Sequence, residues 1–202
     1  MTRFSEDQKE ATDEMLMVRY QRGRRDAFAS LVTRHATTIF SVSFYLLGNE
    51  AQADKLAQDT FLQIVREAAT FHLEAHFRTW VFGLFHKLSN KYYAEIPDQV
   101  DNTRNAGLSN SVDAFGTESV PPASSRSFRS QILARRVANR VATLPIPMRE
   151  VFLYKQAGLL SLQNIATATG ADVDTVRHLL RASFDRIQDC VADTEEYARA
   201  LR

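Results

Sequence analysis

The sequence predicts an all-α fold of two small helical domains joined by a flexible linker, and three observations carry that prediction. Apolar residues recur at helical spacing in two separate blocks of the chain. No strand-like alternation of useful length occurs anywhere. Between the blocks lies a tract crowded with Pro, Gly, Asn and Ser. The predicted boundaries are a flexible amino terminus over 1–12, a first helical domain over 13–95, a linker over 96–127, a second helical domain over 128–192 and a tail over 193–202.

In the first block Leu16 and Tyr20 belong to one helix, which Gly23 ends. A second helix carries one buried stripe of Phe28, Leu31, Val32, His35, Ile39, Val42 and Leu46. Leu47-Gly48-Asn49-Glu50 then reads as a C-cap glycine followed by an Asn N-cap, which opens a third helix. In that helix Leu56, Phe61, Leu62 and Val65 are expected to face inward, and a fourth helix is expected from about Ala75 to Tyr93. Phe77 and Trp80 are expected in the core, because large aromatics at helical spacing are usually buried.

Between Ile96 and Ser127 no periodicity survives, and breakers such as Pro97, Gly107, Gly116, Pro121 and Pro122 mark a linker. Periodicity returns after Phe128 and stops at Leu144-Pro145-Ile146-Pro147, where two prolines force a turn and open the next helix. Two short helices follow, Ser161 to Thr169 and Asp172 to Asp189, separated by Gly170-Ala171. Ser161 and Asp172 are good N-caps, Gly170 can take a left-handed turn, and Ile165, Ala166, Val173, Val176 and Leu180 sit where the two helices must pack. That spacing is a helix-turn-helix.

Composition narrows the function. The chain of 202 residues carries 25 basic and 24 acidic side chains, a formal charge of +1, so binding to nucleic acid must come from local patches. Met1 to Glu14 reads as neither a signal peptide nor an anchor, no apolar run approaches a bilayer span, and the single Cys190 suits a reducing compartment; these point to a cytoplasmic protein with no membrane insertion. No glycine-rich phosphate loop, nucleophile elbow or Cys-His arrangement is present, so no enzyme, no catalytic residue and no cofactor is expected. His72, His76 and His86 approach metal-ligand spacing, but no cysteine or carboxylate completes a set, and no metal is expected there.

The most specific register is Leu144-Pro145, Arg149-Glu150-Val151-Phe152-Leu153, Leu160-Ser161, Ile165-Ala166, Gly170 and Thr175-Val176-Arg177. It resembles region four of the extracytoplasmic-function (ECF) sigma factors. A second match, Tyr20-Gln21-Arg22-Gly23, Asp26-Ala27-Phe28, Leu31-Val32, Leu47-Gly48, Ala53-Asp54 and Gln58-Asp59-Thr60-Phe61, resembles region two of the same family. Phe77-Arg78-Thr79-Trp80 resembles the signature that opens the family's promoter-melting helix.

The resemblance implies a sigma factor that binds core RNA polymerase and directs promoter-specific initiation by contacting two promoter elements. It implies polymerase binding through Asp54, Gln58 and Asp59, which fall on one flank of the third helix. DNA contact is expected at Arg78, Lys87, Asn90 and Lys91 in the first domain and at Thr175, Arg177, His178 and Arg181 in the recognition helix. The partners implied are core RNA polymerase and promoter DNA, with an anti-sigma factor or a kinase as regulator. The chain also departs from the family. Lys55 stands where an acid is usual, Leu179 where a base is usual, and Lys87 to Glu95 lacks the family's arginine cluster. Those departures define the alternative, a sigma-like interaction protein that has lost promoter reading. They also motivate two further expectations: phosphorylation at Thr60 or a nearby threonine to restore negative charge, and a closed state in which Arg129, Arg135, Arg136 and Arg140 lie against acidic side chains of the first domain.

Overall fold

The computed structural model describes residues 11–95 and 137–200, and every element in it is helical. The predicted linker and Arg129, Arg135 and Arg136 lie outside the described residues. Helix α1 (Asp13–Gln21) starts on Thr12, whose hydroxyl accepts the Met15 N–H, and carries Asp13 and Glu14 in its first turn where the helix dipole favours acids. Gly23, at φ 91°, turns the chain into α2 (Arg25–Leu47). Gly48 ends α2 in the left-handed region at φ 67°, and Asn49 caps α3 (Glu50–Arg66) by accepting the Gln52 N–H at 3.0 Å.

A 3-10 turn (Ala68–Thr70) leads toward α4 (Phe77–Glu95). Gln21 fixes that turn by donating from Nε2 to the carbonyls of Ala68 and Phe71, each at 2.8 Å. Glu14 then reaches across from α1 to accept the Phe77 N–H at 3.0 Å. This long-range cap explains why α4 begins at Phe77 rather than at Ala75. Phe77 is buried as expected, and Trp80 is half-buried against Phe71 and Phe77.

After α5 (137–143), Pro145 and Ile146-Pro147 open α6 (Ile146–Gln156). Ser161 caps α7 (Leu162–Thr169) through the Asn164 N–H, and Gly170, at φ 72°, ends it. Asp172 caps α8 (Val173–Ala200) by accepting the Thr175 N–H at 2.7 Å. The helix-turn-helix thus has the caps that the sequence indicates.

The inward face of α3 differs from expectation. The buried stripe is Ala53, Leu56, Ala57, Thr60 and Ile64, the i, i+3, i+4 spacing of one helix face. Leu62 and Val65 fall outside it and remain 51% and 41% exposed. Thr60 is fully buried and its hydroxyl donates to the Leu56 carbonyl at 2.7 Å, so Thr60 is not a site a kinase could reach.

The two helical blocks share one continuous hydrophobic core running from Ala11 to Ile187. Its seam is partly polar. Arg149 on α6, 5% exposed, donates from Nη1 to the Leu46 carbonyl at the end of α2 at 3.0 Å, and from Nη2 to the carbonyls of Ala142 and Leu144. Glu150 beside it, also 5% exposed, faces α4: its Oε1 lies 2.7 Å from His86 Nδ1 and accepts the Tyr154 hydroxyl at 2.6 Å. The Tyr154 ring sits edge-on against Phe82 and Phe85, with centroids 4.9 and 6.1 Å away. Burial, reinforced by the Glu150 charge, holds the Tyr154 hydroxyl protonated well above its ordinary range. Gly158 is required here, because a Cβ on it would fall 2.7 Å from the Tyr154 carbonyl and 2.8 Å from the Phe82 ring.

The two blocks are thus packed together, while three of the four arginines of the basic stretch lie outside the described residues. Arg140, its one described member, donates to the Arg186 carbonyl on α8 rather than to the first block.

The amino-terminal block has its own partly buried polar cluster. Asp13 accepts from Arg34 and pairs with His35, both at 2.8 Å. Burial works against the Asp13 charge, but the hydrogen bonds from His35 and Arg34 outweigh it and bring the carboxyl from 3.8 down to about 2. A folded-state value below the unfolded one means stability that is present above pH 3.8 and lost as pH falls through about 2. Asp13→Asn is therefore expected to lower the unfolding free energy at pH 7 by about 2 kcal/mol. Urea denaturation should show wild type and variant converging below pH 3; a constant gap down to pH 2 would rule this linkage out.

Candidate functional site

Three surfaces collect the residues singled out in the sequence. On α3, Asp54 and Gln58 are exposed and Asp59 is half-buried. The structure pairs two of them, Gln58 Nε2 donating to Asp54 Oδ2 at 2.7 Å, while Asp59 is engaged separately, its Oδ2 accepting from the Tyr92 hydroxyl of α4 at 2.6 Å. Lys55 has an internal partner, because its Nζ lies 5.7 Å from the centroid of the Tyr92 ring, within cation–π range. Asp59, Tyr92 and Lys55 thus form one small cluster that ties α3 to α4.

Leu62 and Val65 flank this cluster on the exposed side of α3, and sequence reasoning placed them in the core. The signal that locates them was available. Steps of four, three and four from Ala53 reach Ala57, Thr60 and Ile64, and at about 100° per residue Leu62 and Val65 point more than a right angle away from the centre of that stripe. The flank is therefore mixed, with carboxylates, an amide and two exposed apolar side chains, a composition suited to another protein rather than to a nucleic acid.

On α4, Arg78, Lys87, Asn90 and Lys91 are all exposed, but they do not form one patch. Nine residues separate Arg78 from Lys87, which at about 100° per residue places them on opposite sides of the helix and about 13 Å apart along it. Lys87, Asn90 and Lys91 share a side. Asn90 Nδ2 lies 3.2 Å from His86 Nε2, so that ring connects the exposed patch to the buried Glu150. Lys87 also lines a cleft of about 610 Å³ between α4 and α7, with Trp80 and Gly83 on one wall and Asn164, Thr167 and Ala168 on the other.

On α8, Val176 is buried and Leu179 and Leu180 are half-buried, so the helix turns Asp174, Arg177, His178 and Arg181 to solvent. Thr175 is exposed, yet its hydroxyl already donates to Asp172 at 2.6 Å. Arg177 is paired with Asp174, a residue that sequence reasoning passed over because it is an acid on a face expected to be basic. Asp172, whose hydrogen bonds from Thr175 hold its carboxyl below the usual range, stays ionised as the N-cap. An exposed helix face with two guanidiniums, an imidazole and one carboxylate after a glycine turn has the donor and acceptor set for reading base edges in a major groove.

Among the described residues no group of three His, Cys, Asp or Glu side chains could hold a metal ion, and no helix is long and apolar enough to cross a membrane.

The chain matches known proteins over both helical blocks. Residues 31–93, which span α2 to α4, match the family model for sigma-70 region 2. The ECF RNA polymerase sigma factor SigW of Bacillus subtilis (strain 168) is 24% identical over 179 residues, 86% of this chain and 93% of that protein. The ECF RNA polymerase sigma factor RpoE of Cereibacter sphaeroides is 24% identical over 185 residues, 90% of this chain and 97% of that protein. In solved structures the fold resembles CnrH in complex with the cytosolic domain of CnrY, with a TM-score of 0.63 and 19% identity over 90% of this chain and 97% of that one. It also resembles the sigma factor RpoE in complex with the anti-sigma factor NepR from Bartonella quintana, with a TM-score of 0.57 and 19% identity over 82% of this chain and 96% of that one. The region-two match covers α2 to α4 and the relatives align well beyond it, so the chain carries a sigma-70 region 2 and is similar to ECF sigma factors over most of its length.

Proposed function

We propose that this protein is a transcription initiation factor of the cytoplasm that binds core RNA polymerase and directs it to promoters by touching two promoter elements. It acts by binding and not by catalysis. The observation that carries this reading is the outward face of α8, where Arg177, His178 and Arg181 project from a helix that a glycine turn and an Asp cap set against α7. Residues 13–95 form the unit that engages polymerase and the melted element, and residues 128–192 the unit that reads the upstream element. The α3 flank of Asp54, Gln58, Leu62 and Val65 is the polymerase-facing surface, with Asp59 held by Tyr92 as its support. Lys87, Asn90 and Lys91 are the α4 cations and amide that meet phosphates, while Arg78 lies on another side and acts separately.

Each of the two solved relatives has a protein partner, which supports a protein regulator of the anti-sigma kind for this chain. Thr60 is excluded as a kinase acceptor by its burial, so any charge added to the α3 flank must go elsewhere.

Two measurements test this reading. Gln58→Ala and Leu62→Ala should each weaken binding to purified core polymerase about five- to tenfold, a loss near 1 kcal/mol, with unchanged melting temperature because both side chains are exposed. Asp59→Ala should weaken binding and also lower the melting temperature, because it removes the Tyr92–Asp59 hydrogen bond that ties α4 to α3. Wild-type affinity in Gln58→Ala and Leu62→Ala would remove α3 from the interface. On DNA, Arg177→Ala should cost about 1–3 kcal/mol on the cognate upstream element and little on random duplex, whereas Arg186→Ala should weaken both about equally. Equal losses for both variants on both duplexes would place Arg177 on phosphate.

A further inference from the structure

The turn that joins α1 to α2 carries charge that none of the surfaces above uses. Arg19, Arg22, Arg24 and Arg25 fall within seven positions and Asp26 follows them, so residues 19–26 hold a net charge of +3, four arginines less one aspartate. The whole chain is +1, which leaves −2 for all the rest. Cations at this place oppose the backbone, because α2 begins at Arg25 and the start of a helix favours anions. Arg24, the N-cap, makes no side-chain cap hydrogen bond either. The repulsion among the guanidiniums, and between them and the helix dipole, is relieved when a polyanion lies on the turn.

The turn is held in one shape. Gly23, at φ 91°, reverses the chain, the Gly23 N–H donates to the Tyr20 carbonyl at 2.8 Å, and the Arg24 N–H donates to the Arg19 carbonyl at 3.0 Å. Gln21 anchors the turn to the segment before α4 through the carbonyls of Ala68 and Phe71. Arg24 donates to Asp26 twice, from Nε at 3.2 Å and from Nη2 at 2.8 Å, an exposed pair whose carboxylate a phosphate can replace at little cost. Arg22 and Arg25 are exposed, and among the described residues no hydrogen bond or ion pair engages their side chains.

Residues 21–26 are all exposed and none carries an apolar side chain. Protein interfaces are anchored by aromatic, Met and aliphatic groups, which this turn lacks, whereas guanidiniums displayed on a fixed backbone match phosphate oxygens. The other end of α1 points to the same ligand. There Glu14 caps Phe77, the neighbour of Arg78, so Arg78 and the turn lie toward opposite ends of α1, about 10 Å apart along it.

We propose that Arg22, Arg24 and Arg25 form a phosphate-binding turn, a third DNA surface that holds the phosphodiester backbone without reading its bases. The proposal rests on the initiation-factor reading for which DNA is met, promoter DNA brought in with polymerase, while the affinity for the backbone belongs to the turn itself. Each phosphate neutralised here releases counterions and adds to what α4 and α8 contribute.

The test compares the full chain with two double variants, Arg22→Ala with Arg25→Ala and Arg22→Lys with Arg25→Lys. Fluorescence anisotropy follows binding to one mixed-sequence DNA, as single strand and as duplex, between about 50 and 200 mM salt. The alanine pair should bind about tenfold more weakly at the low end and lower the slope of log K against log salt by about 1.5 to 2. The lysine pair should stay within about twofold of wild type, because a backbone contact needs the charge more than the planar fork. Melting temperatures should not move, since both side chains are exposed. Wild type that binds neither form at the low end, or an alanine pair with unchanged affinity and slope, overturns the proposal. Affinity for core polymerase should be equal in all three proteins; a loss there with DNA binding unchanged gives the turn to an acidic protein surface and overturns it as well. Turn-dependent DNA binding by a wild type that never initiates with core polymerase supports the turn and overturns the initiation-factor reading instead.

Discussion

The arrangement of the whole molecule depends on two adjacent opposite charges buried in α6. Arg149 and Glu150 are neighbours in sequence, and on a helix consecutive side chains leave the axis about 100° apart, so one faces α2 and the other α4. The guanidinium ends on carbonyls at the close of α2 and in the turn before α6, groups that a helix end leaves without partners and where its dipole favours a cation. The carboxylate ends on the His86 ring and the Tyr154 hydroxyl. An isolated charge at either position would carry a desolvation penalty of several kcal/mol, and only this division of partners makes burial of both tolerable. Once α6 is fixed in two directions, the aromatic packing of Phe82 and Phe85 on Tyr154, and the close approach at Gly158, follow from its position.

A seam of this kind has a different energy profile from an apolar one. Replacing buried ion pairs by packed hydrophobic side chains is often neutral or stabilising, so the polar pair adds little net affinity between the halves. Its contribution is direction: only one docking of α6 satisfies both groups. The seam is apolar as well, because Tyr154 packs on Phe82 and Phe85 within a hydrophobic core common to both blocks. Orientation is thus set by the polar groups, while the shared apolar core supplies the larger part of the free energy that holds the blocks together.

The parts of the fold legible in the sequence are those set by neighbours along the chain. Gly48 and Asn49, Ser161, Gly170 and Asp172 each act within four residues of themselves, and their roles as caps and turns follow from backbone chemistry alone. The same holds for the outward set Arg177, His178 and Arg181, fixed once Val176 is known to face in. Contacts at long range were not legible. Glu14 capping α4 bridges 63 positions, and His86 meeting Glu150 bridges 64, and no local pattern encodes either. The error over Leu62 and Val65 has a different source. Every residue by which a helix face is misjudged rotates the assignment by about 100°, and hydrophobicity alone does not correct it, because interaction surfaces also expose apolar side chains. Lys55 likewise reads as a charge out of place until Tyr92 is seen beneath it.

The recognition face shows why the geometry of the seam matters for function. Two guanidiniums and an imidazole, with Arg177 engaged by Asp174, form a weakly cationic surface. Affinity for nucleic acid rises with the number of phosphates neutralised, so on the reading proposed above this surface alone is expected to bind random duplex poorly. The α4 patch, with two lysines and an asparagine, is equally modest. Surfaces of this strength become effective when joined, since engagement of one sets a high local concentration for the next and the combined affinity exceeds each by orders of magnitude. That gain disappears when the surfaces cannot be engaged together. Lys87, Asn90 and Lys91 are exposed on α4 as Arg177, His178 and Arg181 are on α8, so on the reading proposed above the spacing that the Arg149 and Glu150 contacts fix between the two faces decides how far they act together.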